Sequence, residues 1–351
     1  MGSPLSTSVS KTWQAALGLS LWLRWLFVAL LGVRLLIGLA SPYLERMHLK
    51  GSRDDIAKAS AFLRSAEKQN SDVRVAFIGS SRFQSAISVG EWARLEALDE
   101  KQVLNLSFVS AGPWEYRHLL RRSGGLPYRI RLAVIEIEPW MFNRNRHDWL
   151  SQLFQQSATL GERLSIETSP KEKLKLMGNY CWPLCYRRPL EQWTRGIASL
   201  FRFEPTLPNT GFYRDPEHIA ALAADQGFMA RNIVKQHNSN YAVSYFQANI
   251  VKELALSIAS RGVNVLLVQP PAREEYWKKS YEMPAFAQGY AKVKELIAAL
   301  SSPRVKSVMW ETPGGCGLEE SSFIDYGHFN ERGRILFTRA LFEARESFFA
   351  N

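Results

Sequence analysis

The sequence predicts an α/β protein in which helices cover both faces of a parallel β-sheet, giving three layers. Two observations predict this class. Short apolar runs rich in β-branched residues alternate with helical patterns along the chain, which is typical of parallel sheets. The runs VAFIG at 75–79 and VNVLLV at 263–268 are also continuously apolar, as strands buried on both faces should be. With 351 residues, 46% of them hydrophobic, the chain is long enough to bury the core that such a sheet needs.

Five strands and a closing helix are expected in chain order. Four of the strand runs are strongly apolar and the fifth is weaker; they lie at 73–79, 102–107, 130–138, 263–269 and 305–310. An amphipathic helix over about 53–69 precedes the first strand. The last helix should begin after His328 and reach about Phe348, because apolar residues recur along it with charged residues between them. Such a stripe predicts a helix that packs on the core.

A stretch of about a hundred residues, 144–245, separates the third strand from the fourth. It shows no strand pattern and is rich in Trp, Tyr, Arg and Pro. A compact domain rarely holds a structureless loop of this length, so we expect a helical cap inserted into the domain. Insertions at the carboxyl ends of parallel strands lie where α/β proteins bind ligands. The aromatic side chains of the cap are therefore candidates either for stacking on sugar rings or for packing the cap onto the sheet.

The amino-terminal segment, 1–45, is expected to be a membrane anchor, joined to the domain at 73–351 by a linker helix within 46–72. Residues 13–40 are dominated by Leu, Trp, Val, Ala and Gly and are numerous enough to cross a bilayer. Arg24 and Arg34 interrupt the run, and a charge at the bilayer centre is costly, so at least one must reach toward the headgroups. A cleaved signal peptide and a helix lying in the membrane interface are the alternatives.

The formal net charge of +11 favours anionic partners but does not select one. Nucleic acid is not expected, because the chain has neither a Cys/His finger spacing nor an aromatic RNA-binding string, and its basic residues are scattered. Cys181, Cys185 and Cys316 are too few for a disulfide scaffold and lack the spacing of a zinc site, so no metal or other cofactor is expected. The sequence leaves open whether the thiols are unpaired or whether Cys181 and Cys185 form a disulfide.

The chemistry is suggested by two short strings far apart in the chain. VRVAFIGSSRF at 73–83 places Ser81 behind the first strand, and FIDYGHFNERG at 323–333 places Asp325 and His328 just before the last helix. A serine hydroxyl becomes a nucleophile when an imidazole accepts its proton and a carboxylate orients that imidazole. Either string alone has an ordinary explanation, since serines cap helices and acid–histidine pairs occur in solvated turns. In combination, at the carboxyl edge of one parallel sheet, they predict a hydrolytic triad.

At these residues the chain resembles the SGNH (GDSL-like) hydrolase superfamily. The likeness is to its membrane-anchored branch, which includes polysaccharide O-acetylation proteins and the D-alanyl-transfer protein of teichoic acid modification. G-S-S-R at 79–82 stands in place of the family's G-D-S, and D-x-x-H-x-N at 325–330 is followed by Gly333. The resemblance covers about 73–140 and 247–348 and implies a flavodoxin-like SGNH fold. It further implies His328 as general base and Asp325 as the residue that orients it. The third position of the motif favours Ser81 as nucleophile, with Ser80 where the family's Asp stands, and the sequence leaves open which of the two serines attacks.

The resemblance also implies a set of oxyanion and substrate contacts. Backbone N–H groups of Ser81 and Gly112 are expected to form the oxyanion hole, and Asn105 belongs to the same block, NLSFVSAGP. The family's G-x-N-D block is absent, since the chain reads EPWMFN after the third strand. Either Asn143 replaces the missing donor or the site does without it. Arg82 is expected either to bind an anionic or carbonyl group of the substrate or to pair with an acid at the sheet edge.

Further acids and histidines are weaker candidates. Glu136 and Glu138 are alternate residues of the third strand and so share a face, and Glu138, nearer the carboxyl end, is placed to reach the site. The remaining five histidines lack a partner serine or a metal-ligand spacing and are expected to pack or to lie on the surface; they are His48, His118, His147, His218 and His237.

The function implied by the resemblance is serine-dependent O-acyl transfer, with acetyl as the expected group and a polysaccharide or cell-envelope glycan as acceptor. An integral membrane acyltransferase is the expected donor partner. The expected location is the bacterial cytoplasmic membrane, with a single-pass anchor and the catalytic domain facing the periplasm or cell exterior. An esterase with the same triad and a non-catalytic polysaccharide-binding scaffold of an export complex remain as alternatives.

Overall fold

The computed structural model describes residues 72–108, 111–145, 160–165 and 226–349, together with residues 25, 28, 29, 32, 63 and 158. From Leu63 onward these residues belong to one compact unit of the chain. Its centre is a five-stranded parallel sheet with helices on both faces, so the predicted three-layer α/β class is confirmed.

The strands follow the predicted apolar runs closely. They are β1 (Val75–Ile78), β2 (Val103–Asn105), β3 (Leu132–Glu136), β4 (Asn264–Gln269) and β5 (Val305–Met309). All the pairings are parallel, and the order across the sheet is β2-β1-β3-β4-β5. Every residue of β1, β2 and β3 is buried, and all of them are apolar except Asn105 and Glu136, which end β2 and β3.

The helices of the described part of the chain follow the strands as predicted. They are α1 (Ser81–Ala86), α2 (Val89–Glu96), α3 (Pro113–Ser123), α4 (Leu160–Ser165), α5 (Gln226–Asn238), α6 (Tyr245–Ala259), α7 (Glu274–Tyr281), α8 (Pro284–Ala298) and α9 (Glu331–Phe349). The last helix thus occupies the position expected for it after His328.

Alternation along the strands divides the core into two halves. Ala76 and Ile78 of β1 face one half, which α3, α6, α7 and α8 cover with side chains such as Trp114 and Tyr290. Val75 and Phe77 face the other half, which α1, α2 and α9 cover. The period of two along a strand therefore produces the middle layer of the fold.

The sheet order creates a reversal point beside β1. From β1 the chain moves outward to β2, then returns to the other side of β1 to form β3. Connections from neighbouring strands leave in opposite directions at this point, which opens a crevice at the carboxyl edge in doubly wound sheets. The turn that carries Ser81 follows β1, one of the two strands that flank this point.

The two ends of the predicted cap meet at its base. Asn143 and Val243 form an isolated antiparallel bridge, the Arg144 N–H donates to the Ala242 carbonyl at 2.9 Å, and the Ser244 N–H donates to the Phe142 carbonyl at 2.7 Å. The described parts of the insertion include α4 and α5. The rest of 144–245 lies outside the described residues.

The predicted anchor at 1–45 and linker helix within 46–72 lie almost wholly outside the described residues. Among the residues that the structure does describe, no helix has both the length and the apolar composition needed to span a bilayer.

Candidate active site

The turn after β1 presents Ser81 at the carboxyl edge of the sheet. Ser80 caps α1, its hydroxyl accepting the Arg82 N–H at 3.2 Å, so Ser81 becomes the first residue of the helix. Gly79 is required in this turn because a Cβ atom there would lie 2.4 Å from Cβ of Phe83. Ser80 is 1% exposed, whereas Ser81 is partly exposed. Of the two adjacent serines, Ser81 is therefore the one that a substrate can approach.

The structure brings together the three side chains that the two sequence strings supply. The Ser81 hydroxyl lies 3.1 Å from His328 Nε2, and His328 Nδ1 lies 2.7 Å from Asp325 Oδ2. These contacts form one continuous hydrogen-bonded series across 247 residues of sequence. Its order is the one that nucleophile, base and orienting acid require.

Asp325 is suited to orient an imidazole that becomes charged. Its Oδ1 accepts the N–H groups of Gly327 at 2.8 Å and His328 at 2.7 Å, while Oδ2 faces the imidazole. Burial acts to raise the pKa of this carboxyl, but the His328 side chain and the two backbone N–H groups outweigh it and lower the pKa to about 2. Asp325 is therefore ionised at neutral pH, with its second oxygen committed to His328.

The loop that carries Asp325 and His328 is closed on itself and fixed to α1. We call residues 323–329 the histidine loop. Phe323 and Phe329 pair across its neck with ring centroids 4.7 Å apart, and the Ile324 N–H donates to the His328 carbonyl at 2.8 Å. The Phe329 N–H donates to the Ser85 hydroxyl of α1 at 3.2 Å. The base and the nucleophile are therefore held against each other by backbone contacts as well as by the triad itself.

Arg82 does not face a substrate position, which corrects one of its two expected roles. It is 2% exposed, forms an ion pair with Glu138, and donates to the carbonyls of Gly327 at 3.2 Å and Pro271 at 2.7 Å. Its guanidinium carbon also lies 5.6 Å from the centroid of the Tyr326 ring. The guanidinium is thus committed to an interior acid and to the histidine loop.

Gly112 is not an available oxyanion donor, contrary to expectation. It is the N-cap residue of α3, and its N–H donates to the Glu115 carboxylate at 3.1 Å. The Ser81 N–H, by contrast, donates to no acceptor within the described residues. It is the first N–H of α1, where a helix leaves its donors unpaired, so it can serve a developing oxyanion.

The two asparagine candidates have different positions. The Asn143 amide is saturated, donating to the carbonyl of His237 at 2.8 Å and accepting the N–H groups of Asn145 and Ala242, so it closes the base of the insertion instead of replacing the missing oxyanion donor. Asn105 ends β2, two positions before Ser107, whose N–H it accepts at 3.1 Å. Asn105 therefore lies at the carboxyl edge of the sheet, and its role as an oxyanion or substrate contact stays a prediction.

The residues that sequence reasoning undervalued are Glu136 and its partners. Glu136 is fully buried and accepts from the Ser80 backbone N–H, from the Ser80 hydroxyl at 3.0 Å and from the Tyr116 hydroxyl at 3.2 Å. The alternating acids of IEIEP indicate a shared face of the strand, and the sequence favours Glu138 because it lies nearer the carboxyl end. Glu136 makes the direct contact with the serine turn.

Two histidines outside the site pack as expected. His118 stacks on Trp114 with ring centroids 4.9 Å apart, and His237 stacks on Trp140 at 5.4 Å. Within the described residues, no group of His, Cys, Asp and Glu is arranged to hold a metal ion.

Comparison with known proteins adds no relative: no protein-family model and no curated protein matches this chain. A partly exposed hydroxyl, an imidazole in contact with it and a buried ionised carboxylate are the components of nucleophilic acyl chemistry.

Proposed function

We propose that this chain is a serine-dependent O-acyltransferase of the SGNH type that acts through an acyl-serine intermediate. The series Ser81–His328–Asp325, with contacts of 3.1 and 2.7 Å, is the observation that carries the proposal. The strand order 2-1-3-4-5, which is the flavodoxin-like order, supports the same reading.

The first half-reaction forms the intermediate. Ser81 Oγ attacks the acyl carbonyl carbon of the donor while His328 Nε2 accepts the hydroxyl proton, and the Ser81 N–H donates to the oxygen that becomes negative. Collapse of the tetrahedral intermediate breaks the bond to the leaving group, which takes the proton from His328. Asp325 remains ionised and stabilises the imidazolium while it exists.

The second half-reaction transfers the group. An acceptor hydroxyl gives its proton to His328 and attacks the acyl-serine carbonyl, forming the product ester and releasing Ser81 with its proton restored. We take the acceptor to be a hydroxyl of a polysaccharide or cell-envelope glycan and the acyl group to be acetyl, in keeping with the branch that the two motifs resemble. An integral membrane acyltransferase is the proposed source of the acyl group.

The proposal also covers location. We place the chain at the bacterial cytoplasmic membrane through residues 1–45, with the catalytic domain on the periplasmic or outer side. Full-length protein should sediment with membranes, and protein lacking residues 1–45 should remain in the supernatant. Continued sedimentation of the shortened protein would require another attachment.

The chemistry is tested with p-nitrophenyl acetate and purified full-length protein. We expect a burst of p-nitrophenol followed by slow turnover, loss of both in Ser81→Ala and His328→Ala, and retention of both in His118→Ala. His118 is the matched control because it lies within α3 and stacks on Trp114. Equal losses in all three variants, or activity that survives Ser81→Ala, would favour the scaffold function over the enzyme.

An esterase is the second candidate, because the partial exposure of Ser81 lets water reach the same acyl-enzyme. The two functions differ in the fate of the acyl group. Adding a glycan oligosaccharide to the acetylated enzyme should yield acetylated oligosaccharide, detected by mass spectrometry, faster than it yields acetate. Acetate as the sole product with every glycan class tested would assign the chain as an esterase.

A further inference from the structure

Two buried carboxyl groups that the acyl chemistry does not use contact the residues on either side of Ser81 in the chain. Glu136 ends β3 and Glu138 follows two residues later in extended backbone; we call them the acid pair. Glu136 is 0% exposed and Glu138 is 1% exposed. Glu136 contacts the serine turn directly, whereas Glu138 reaches the histidine loop only through Arg82.

Glu136 is bonded to the turn that presents the nucleophile. One carboxylate oxygen accepts the Ser80 backbone N–H and the Tyr116 hydroxyl, and the other accepts the Ser80 hydroxyl at 3.0 Å. Since Ser80 immediately precedes Ser81, these bonds set where α1 begins. They therefore set where the Ser81 hydroxyl points.

Glu138 is joined to the other half of the site through Arg82. The Arg82 guanidinium pairs with Glu138 and donates to the carbonyl of Gly327, the residue before His328. It also donates to the carbonyl of Pro271, which follows β4. A shift of this guanidinium would first displace Gly327 and with it the segment of the histidine loop that carries the imidazole.

Stability alone is a poor explanation for this arrangement. Removing each ion from water costs several kcal/mol, and apolar residues of similar volume often replace buried ion pairs without loss of stability. The two carboxyl groups also face one guanidinium, that of Arg82, so two negative charges would be opposed by one positive charge. Burial raises the pKa of Glu138 to about 8; Arg82 opposes the rise, and the neighbouring Glu136 adds to it. The pKa of Glu136 is raised as well, chiefly by burial.

We propose that the acid pair positions the triad, Glu136 by fixing the serine turn and Glu138 by fixing the histidine loop through Arg82. Neither residue touches a reacting atom, so both are positioning residues and not catalytic ones. The inference deepens the proposed function and rests on it. On this proposal the acid pair holds Ser81, in the first third of the chain, and His328, in the last third, at the distance that proton transfer requires.

The test uses full-length Glu136→Gln and Glu138→Gln. Glutamine keeps the volume, but at position 136 its NH₂ group replaces one of the two acceptor oxygens, so either the Ser80 N–H or the Ser80 hydroxyl loses its acceptor. At position 138 it replaces the carboxyl group that faces the Arg82 guanidinium with an amide. We expect kcat for p-nitrophenyl acetate to fall about 10²-fold in Glu136→Gln with KM within about twofold, because a misplacement of about 1 Å costs rate and not binding. Glu138→Gln should show the same split.

Glu91→Gln is the matched control. Glu91 also bonds two arginines, Arg94 of α2 and Arg339 of α9, but it lies away from the triad. It should lower the unfolding midpoint without changing kcat. Wild-type kcat in both variants of the acid pair, or a kcat loss in Glu91→Gln equal to theirs, would overturn the proposal.

A second readout separates this inference from the proposed function. Nitrogen-15 labelling of histidine reports the Nδ1 proton that His328 shares with Asp325 by its downfield NMR signal, whether or not the protein turns over any ester. The signal should shift or broaden in Glu138→Gln and stay in place in Glu91→Gln. An unshifted signal in both overturns the positioning role of Glu138 even if the triad is active, and absence of esterase activity with a shifted signal rejects only the proposed function.

Smaller variants decide the question if Glu136→Gln does not fold. Ser80→Ala and Tyr116→Phe each remove one hydroxyl that bonds Glu136 and leave the acid in place. The inference requires each to lower kcat by about tenfold with KM unchanged. Unchanged kcat in both would refute it.

Discussion

The carboxylate of Asp325 holds the histidine loop and the imidazole at the same time. One oxygen accepts two backbone N–H groups of its own loop and the other accepts from His328 Nδ1. The acid therefore builds the turn that places its own partner. Because one oxygen shapes the turn and the other accepts from Nδ1, a spacing of three residues is enough to bring the Asp325 carboxylate and the His328 imidazole into contact.

Asp325→Asn should separate these two tasks. The asparagine can keep the backbone bonds through its oxygen, but its NH₂ group then faces Nδ1 and favours the imidazole tautomer that carries its proton on Nε2, where Ser81 needs an acceptor. We expect kcat to fall by about 10⁴-fold with little change in fold, as this substitution does in other serine triads. Esterase kinetics and circular dichroism check the two parts, with Asp72→Asn as control; a loss below tenfold would contradict the role given to Asp325.

At the residue scale, motif reasoning identified groups whose partners are close in sequence and failed where the partners are distant. Ser81, Asp325 and His328 were readable because each stands in a short string of recognisable chemistry. Asn143 was misjudged because its amide is saturated by residues 94 to 99 positions away. Gly112 could have been judged correctly, since Glu115 at the third helical position is the sequence signature of a cap that uses the glycine N–H.

Among the elements, the histidine loop is the one whose shape matters most to the site. Gly327 lies against the Arg82 side chain, and a Cβ atom at that position would come within 2.4 Å of Arg82 Nε. A methyl group there must move either the buried arginine or the loop. Both movements displace His328 from Ser81.

Gly327→Ala should therefore lower both stability and rate. We expect the free energy of unfolding to fall by about 1 to 3 kcal/mol, the usual cost of overpacking a buried contact, and kcat to fall at least about tenfold. Gly314→Ala is the control, because a Cβ at Gly314 meets nothing within 4 Å. Urea unfolding and esterase kinetics measure the pair, and equal behaviour of the two variants would show that the loop tolerates displacement.

The strands show how far element-level reasoning reaches. Burial on both faces produces continuous apolar runs, so β1 and β4 were located to within about two residues at each end. The end of β3 was overestimated: the strand stops at Glu136, and the following 3₁₀ turn at Pro139–Phe142 begins where proline removes a backbone donor. The acids of IEIEP therefore lie at and just beyond the strand end, which the run of hydrophobic letters does not reveal.

On the scale of the whole molecule, buried ionisable groups make stability depend on pH in two opposite directions. Glu138 has a folded-state pKa of about 8 against an ordinary value of 4.5, so its contribution is complete below about pH 4.5 and is lost as the pH rises to 8. Asp325 has a folded-state pKa of about 2 against 3.8, so its contribution is present above about pH 3.8 and is lost as the pH falls to 2. For these two groups, stability is greatest between about pH 4 and 4.5.

The urea midpoint of the full-length chain in detergent should accordingly fall between pH 5 and pH 8.5. In Glu138→Gln the fall should be smaller, because the group that loses its proton is absent and its like-charged neighbour Glu136 is relieved. Parallel curves for wild type and variant over this range would show that Glu138 does not carry the shift.

The topology explains why the site is where it is, and the sequence order alone does not. Alternating strands and helices predicted a parallel sheet, but several strand orders satisfy that pattern. The observed order places β1 and β3 side by side, so that Ser81 and the acid pair leave the sheet at neighbouring points. The pairing of β1 with β3 depends on the total packing of both layers, which no single segment encodes.

The Ser81 hydroxyl and the His328 imidazole that it contacts are separated by 247 residues of sequence. A chain still being translated, or a proteolytic fragment that stops short of residue 328, carries the nucleophile without its base. Under the proposed function, such a product lacks the base that Ser81 needs to form an acyl-serine.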